Sequence, residues 1–185
     1  MIYIIDHKDS FTHNVVHQFE NFDDVTCDNY NEINESKLKK SKVIVFSPGP
    51  GAPKDYPISS NIYKRFKGKK KIIGICLGFQ QILYCEKGKI IKQKKIFHGY
   101  QSKIKVTGEN SLFKKNRKFN VGRYHSLKLK EPFVAKNFEI TMRCAISNIA
   151  MAIENNNEKV YGFQFHPESF LTENGNLLIK KILSA

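Results

Sequence analysis

A chain of 185 residues with 41% hydrophobic residues is long enough to bury a core without disulfides or a structural metal. No run approaches the roughly 18 apolar residues of a membrane span. The formal net charge of +14 invites a nucleic-acid reading, but 27 lysines stand against only four arginines.

Much of the charge excess sits in short lysine runs, such as Lys69-Lys70-Lys71 and Lys92-Gln93-Lys94-Lys95. Base-reading surfaces carry arginine and interleaved aromatics instead. A solvated lysine-rich face, or a basic surface for an acidic protein partner, is the expectation, with no nucleic acid and no membrane partner. Cys27, Cys76, Cys85 and Cys144 form no C-x-x-C pair and have no zinc spacing, so neither a metal nor a cofactor is expected. Nothing basic precedes the Met1–Ile5 apolar run, which reads as a strand and not a signal peptide; a cytoplasmic chain is expected.

In chain order, Ile2–Ile5 is a strand hydrophobic on both faces, as in a buried parallel sheet. Asp9 or Ser10 can cap a helix whose Phe11, Val15, Phe19 and Phe22 share one face. A weak strand at Val25–Cys27 and a polar helix near Glu35–Lys40 follow. Val43–Phe46 is the next buried strand, stopped by Ser47-Pro48-Gly49-Pro50-Gly51. A helix containing Ile62, Tyr63 and Phe66 leads to a third buried strand at Ile72–Ile75 and then a helix over Phe79–Tyr84. Past residue 88, short pieces at Ile90-Ile91, Ile104–Val106, Ser126–Leu129 and Ile149–Ile153 suggest antiparallel additions. Val160–Phe165 restores a buried strand, and a helix over Leu177–Leu183 closes the pattern. The expectation is one α/β domain over residues 1–185, with a mostly parallel sheet, flanking helices and a small antiparallel addition.

Gly74-Ile75-Cys76-Leu77-Gly78 falls where a buried strand turns into a helix. Small residues two before and two after the cysteine suit a nucleophile elbow, in which a β-carbon at either flank would clash. A helix N-terminus favours the thiolate, and the Leu77 N–H would face an oxyanion on the attacked carbonyl. Taken alone, the pattern also fits a buried cysteine between two packing glycines. His166 follows a strand, at the end where α/β sites collect, and Pro167 stiffens the corner. Glu168 can return to the imidazole as an orienting third group. The Ser47–Gly51 loop, with two prolines and two glycines, can present amides to Cys76 or be a bare turn; without the lysine of a P-loop it is not read as a nucleotide site.

Five segments occur in order: Asp6-x-x-Asp9-Ser10-Phe11-Thr12, Ser47–Gly51, Gly74–Gly78 with Gln80, Arg123-Tyr124-His125-Ser126-Leu127, and Gly162-x-Gln164-Phe165-His166-Pro167-Glu168-Ser169. Together they resemble the class I (triad) glutamine amidotransferases, in particular the glutaminase components of anthranilate synthase and aminodeoxychorismate synthase. The resemblance runs from residue 1 to about 183. It implies Cys76, His166 and Glu168 as catalytic, Gly49 and Leu77 as oxyanion donors, and Gly51, Gln80, Ser126 and Leu127 as contacts to L-glutamine. It also implies a large chorismate-binding synthase subunit (component I) as partner, and it leaves open which of the two synthases is served. Two departures stand out: Phe79 replaces a histidine common in relatives, and Met151–Asn155 lacks their Arg-His. A stand-alone γ-glutamyl hydrolase and a catalytically silent regulatory subunit are the alternative readings.

Overall fold

The computed structural model describes residues 1–185. The chain opens with β1 (Ile2–Asp6), α1 (Thr12–Glu20), β2 (Val25–Asn29), α2 (Glu35–Lys40) and β3 (Val43–Phe46). A short 3-10 turn at Pro53–Asp55 leads to α3 (Pro57–Phe66), β4 (Lys71–Ile75) and α4 (Leu77–Cys85). Then come β5 (Lys89–Lys92), β6 (Tyr100–Val106), β7 (Lys118–Arg123) and β8 (Leu127–Lys130). The chain finishes with β9 (Glu139–Cys144), β10 (Ala150–Asn155), β11 (Val160–Phe163) and α5 (Gly175–Leu183).

Nine strands form one sheet in the order β2-β1-β3-β4-β11-β10-β9-β6-β7. From β2 to β11 all neighbours are parallel; from β11 to β7 all are antiparallel. The antiparallel part thus continues the main sheet, with β5 and β8 pairing separately.

The parallel strands are buried on both faces because alternate side chains feed two different cores. Ile2, Ile4, Val45, Ile73 and Phe163 pack with Val15 and Phe19 of α1 and Leu178, Ile179 and Ile182 of α5. Their sequence neighbours Tyr3, Ile5, Ile44, Phe46 and Ile72 pack with Leu38 of α2, Tyr63 of α3 and Phe79 and Ile82 of α4. Phe79, one of the two departures, is therefore core, lying against Gly162 on β11.

Three details differ from the sequence reading. The helix expected to be capped by Asp9 or Ser10 begins at Thr12, with no side-chain cap. Asp9 instead accepts the Phe11 N–H on its carboxylate (2.8 Å) and the Thr12 N–H on its carbonyl (3.1 Å), closing a turn that leaves Phe11 outside the helix. Phe22 also lies beyond it. Strands β7 and β9 had no expectation at all: Phe119 and Val121, and Ile140, Met142 and Cys144, do alternate with polar residues, but the runs are short and cross-strand pairing with β6 decides the conformation.

Helix α5 starts two residues before the expected position, at Gly175, which packs directly on the His166–Glu168 segment. A β-carbon there would lie 1.8 Å from the Pro167 carbonyl oxygen, which also accepts from Gln18 Nε2 at 2.9 Å. Backbone cannot yield cheaply, so Gly175→Ala should cost about 2 kcal/mol or more, a drop of about 4–8 °C in Tm. Thermal denaturation measures it; an unchanged Tm would show that α5 is free to shift.

Candidate active site

Parallel pairing sets Ile75 of β4 beside Phe163 of β11, so both strands end at one edge of the sheet. The Cys76 N–H extends that ladder, donating to the Phe163 carbonyl at 2.7 Å. The chain then turns at once into α4, and Cys76 takes φ 52° and ψ −100°, a conformation rare for residues with a side chain. A β-carbon on Gly74 would lie 2.4 Å from the Gly78 carbonyl oxygen, and one on Gly78 would lie 2.2 Å from the Phe46 carbonyl oxygen. Both glycines are thus required by backbone contact. The cysteine carries the strain.

His166 lies just past β11. Its N–H donates to the Gly122 carbonyl of β7 (3.1 Å), and its own carbonyl accepts from the Thr172 hydroxyl (2.6 Å). Imidazole Nδ1 meets Glu168 Oε1 at 2.6 Å, with side-chain exposures of 2% and 0%. A carboxylate oxygen only accepts, so Nδ1 donates and the carboxylate sets the ring's orientation. Nε2 has no hydrogen-bond partner. Burial pushes the imidazole pKa down, but the Glu168 carboxylate and the neighbouring Cys76 outweigh it and hold the pKa well above its usual value. An imidazole that keeps its proton beside sulfur is suited to stabilise a thiolate and to donate to a leaving group.

The sulfur and the ring are both enclosed. Gln164 Nε2 approaches Cys76 Sγ at 3.8 Å, and Gln80 Nε2 in turn donates to Gln164 Oε1 at 3.1 Å. The rings of Phe11 and Tyr124 pack on the His166 imidazole with centroids at 5.2 and 4.9 Å. Cys76 is left only 7% exposed.

The Ser47–Gly51 loop leaves β3 at the same edge. Gly49 abuts the Leu77 side chain, whose Cδ2 would lie 2.6 Å from a β-carbon on Gly49. No backbone carbonyl accepts the N–H of either residue. Two free donors beside the elbow are what an oxyanion site needs.

The other sequence-derived contacts are less directly placed. Gly51 ends the loop at φ 72° and does not hydrogen-bond to the triad residues. The Ser126 carbonyl accepts from the Gln93 N–H at 2.9 Å, and the Leu127 carbonyl from His125 Nδ1 at 2.8 Å. That segment reaches the triad through Tyr124. Sequence reasoning assigned no role to Tyr124, Gln164 or the fully buried His7, although the first two stand inside quoted motifs. Position alone could have flagged His7, the first residue after a doubly buried strand.

With the geometry in place, the comparisons are direct. Residues 3–185 match the family described as glutamine amidotransferase class-I, and the chain belongs to that family. It is 38% identical over 186 residues to anthranilate synthase component 2 of Lactococcus lactis subsp. lactis, covering 100% of this chain and 94% of the relative. It is 34% identical over 188 residues to aminodeoxychorismate synthase component 2 of Klebsiella aerogenes, covering 100% of each. Among solved structures, PurLQS from Thermotoga maritima is similar with a TM-score of 0.76 at 17% identity, over 99% of this chain and 96% of that one. A glutamine amidotransferase from Thermotoga maritima gives 0.69 at 16%, over 90% and 75%. At those identities the likeness concerns the fold.

Two buried histidines near the site make the fold acid-sensitive. Burial pushes His7 down to about 4, and burial with the Arg123 charge pushes His125 down to about 3. In the unfolded chain each titrates near 6.5. Their contribution is therefore complete above that pH and is lost as pH falls toward 4, by about 3 kcal/mol for His7 alone. Denaturant titrations at pH 7, 5.5 and 4 should show a steep decline that His7→Asn flattens; parallel pH dependences in wild type and variant would contradict it.

Proposed function

We propose that the chain is a glutaminase subunit that hydrolyses L-glutamine to glutamate and ammonia, with Cys76 as nucleophile, His166 as acid and base, and Glu168 as its orienting carboxylate. The observation that carries this reading is the Nδ1–Glu168 pair, which leaves Nε2 unpartnered beside an elbow cysteine. Thiolate attacks the glutamine carboxamide carbon, and the resulting oxyanion is held by the Gly49 and Leu77 amides. His166 gives its proton to the departing nitrogen, which leaves as ammonia, and a γ-glutamyl thioester remains on Cys76. Water then attacks, His166 takes its proton, and the thiolate is expelled as glutamate forms. Gly51, Gln80, Ser126 and Leu127 are proposed to hold the amino-acid end of the substrate.

Ammonia released into water near neutral pH is mostly ammonium, which is no nucleophile. The product is useful only if passed on directly. The relatives named component 2 support a large chorismate-using synthase subunit, of anthranilate or aminodeoxychorismate synthase, as the receiver. The packing of Phe11 and Tyr124 on His166, with Cys76 only 7% exposed, is consistent with a glutaminase that a partner must switch on. One cytoplasmic domain working as half of such a complex is the form proposed, without nucleic acid or membrane.

Glutamate release by wild type and Cys76→Ala, each with and without a chorismate-binding subunit, tests this. The wild-type rate should rise on adding the subunit, and Cys76→Ala should show no glutamine-dependent product formation under either condition. An equal rate with and without the subunit would instead favour a stand-alone hydrolase. Unchanged product formation by Cys76→Ala would favour a silent regulatory role. The product made in the complex distinguishes the two synthases.

A further inference from the structure

We propose that His7 is a positioning residue for the loop that presents the Gly49 amide, an inference that rests on the glutaminase reading above. His7 immediately follows β1 and is completely buried beneath Ser47–Gly51. Its backbone N–H donates to Ser47 Oγ at 2.9 Å, and that hydroxyl donates to the Pro48 carbonyl at 2.7 Å. Its ring Nδ1 lies 3.1 Å from the Ser47 carbonyl oxygen, and Nε2 lies 2.9 Å from Ser59 Oγ on α3.

A carbonyl can only accept, so Nδ1 carries the hydrogen and Nε2 accepts the Ser59 hydroxyl. This arrangement exists only in the neutral imidazole. Burial keeps it neutral, outweighing the Ser47 carbonyl and the Asp6 carboxylate, which both favour the proton: His7 is packed edge-on by Tyr56 (4.7 Å) and flanked by Tyr30 and Phe46.

The consequence falls on Gly49. A β-carbon there would lie 2.5 Å from His7 Cβ and 3.1 Å from the His7 carbonyl oxygen. Gly49 therefore rests closely against both His7 and Leu77, the other candidate donor. Pro48 and Pro50 contribute no N–H, and the Tyr56 hydroxyl fixes the Pro50 carbonyl at 2.9 Å. The peptide unit that aims the Gly49 N–H is thus clamped before it by His7 and after it by Tyr56. His7 acts through that amide and touches no reacting atom.

Such a residue affects turnover, because an oxyanion exists only along the reaction and not in bound glutamine. The test uses the complex of this chain with a chorismate-binding synthase subunit. It compares wild type, His7→Asn, His7→Gln and His7→Leu in glutamine hydrolysis and in the alkylation of Cys76 by iodoacetamide. Alkylation needs the sulfur nucleophile but no oxyanion donor.

His7→Asn can keep a donor near the Ser47 carbonyl and should hold kcat within about threefold of wild type. His7→Gln, whose amide lies one bond farther out than Nδ1, and His7→Leu, which has no donor, should drop kcat by about 10- to 100-fold with KM within about twofold. All variants should be alkylated within about twofold of the wild-type rate. A wild-type kcat in His7→Gln would overturn the inference while leaving the glutaminase reading intact. A loss of alkylation in step with kcat would also overturn it, since that marks general disruption. Should His7→Leu not fold, the Asn-over-Gln order alone decides, and equal or reversed kcat refutes it. Absence of hydrolysis by the wild-type complex would sink both readings.

Discussion

The parallel pairing of β4 with β11 is the constraint on which the site depends. These strands come from distant parts of the chain, and their register places Ile75 opposite Phe163. One residue beyond the first is Cys76, and a short way beyond the second is His166. Because neighbouring strands run about 4.8 Å apart, a cysteine and a histidine just past the ends of two paired strands meet with little further adjustment. The Cys76 N–H to Phe163 carbonyl bond prolongs the pairing into the elbow itself. The rest of the fold serves to keep that corner fixed.

Different elements hold the two halves of the corner. On the cysteine side, Gly78 lies against the backbone of β3 so closely that no β-carbon fits, and this holds the start of α4 down on the sheet. The strained φ of Cys76 persists because packing on both flanks leaves no alternative. On the histidine side, β7 takes the His166 N–H, Thr172 takes its carbonyl, and Gly175 of α5 presses on Pro167. Glu168 then turns the ring. A buried carboxylate is costly unless it is paired, and here its partner is the imidazole whose proton it retains.

Much of this was legible in the sequence because the parallel half obeys simple rules. Ile2–Ile5, Val43–Phe46 and Ile72–Ile75 are apolar on both faces, which only a sheet covered by helices on both sides explains. The glycines around Cys76 and the strand-end position of His166 follow from local geometry. The family resemblance and the class-I match agree on the same chain-wide pattern. The antiparallel half was read less well. Strands β7 and β9 alternate apolar and polar residues only over short runs, and pairing with β6 is what makes them strands. That mattered for the site, since β7 is what anchors the His166 backbone. His7 had only its strand-end position to mark it, because its partners Ser47, Gly49 and Ser59 are all far from it in sequence.

Chemistry at one sulfur is the central claim, and a covalent trap reads it without reference to rate or partner product. The complex would be mixed with isotopically labelled glutamine, quenched in acid within the turnover time, digested and analysed by mass spectrometry. The account predicts a labelled γ-glutamyl group on the peptide containing Cys76 and on none of those containing Cys27, Cys85 or Cys144. Glutamate formation without any label on Cys76, or with label on another cysteine, would contradict it.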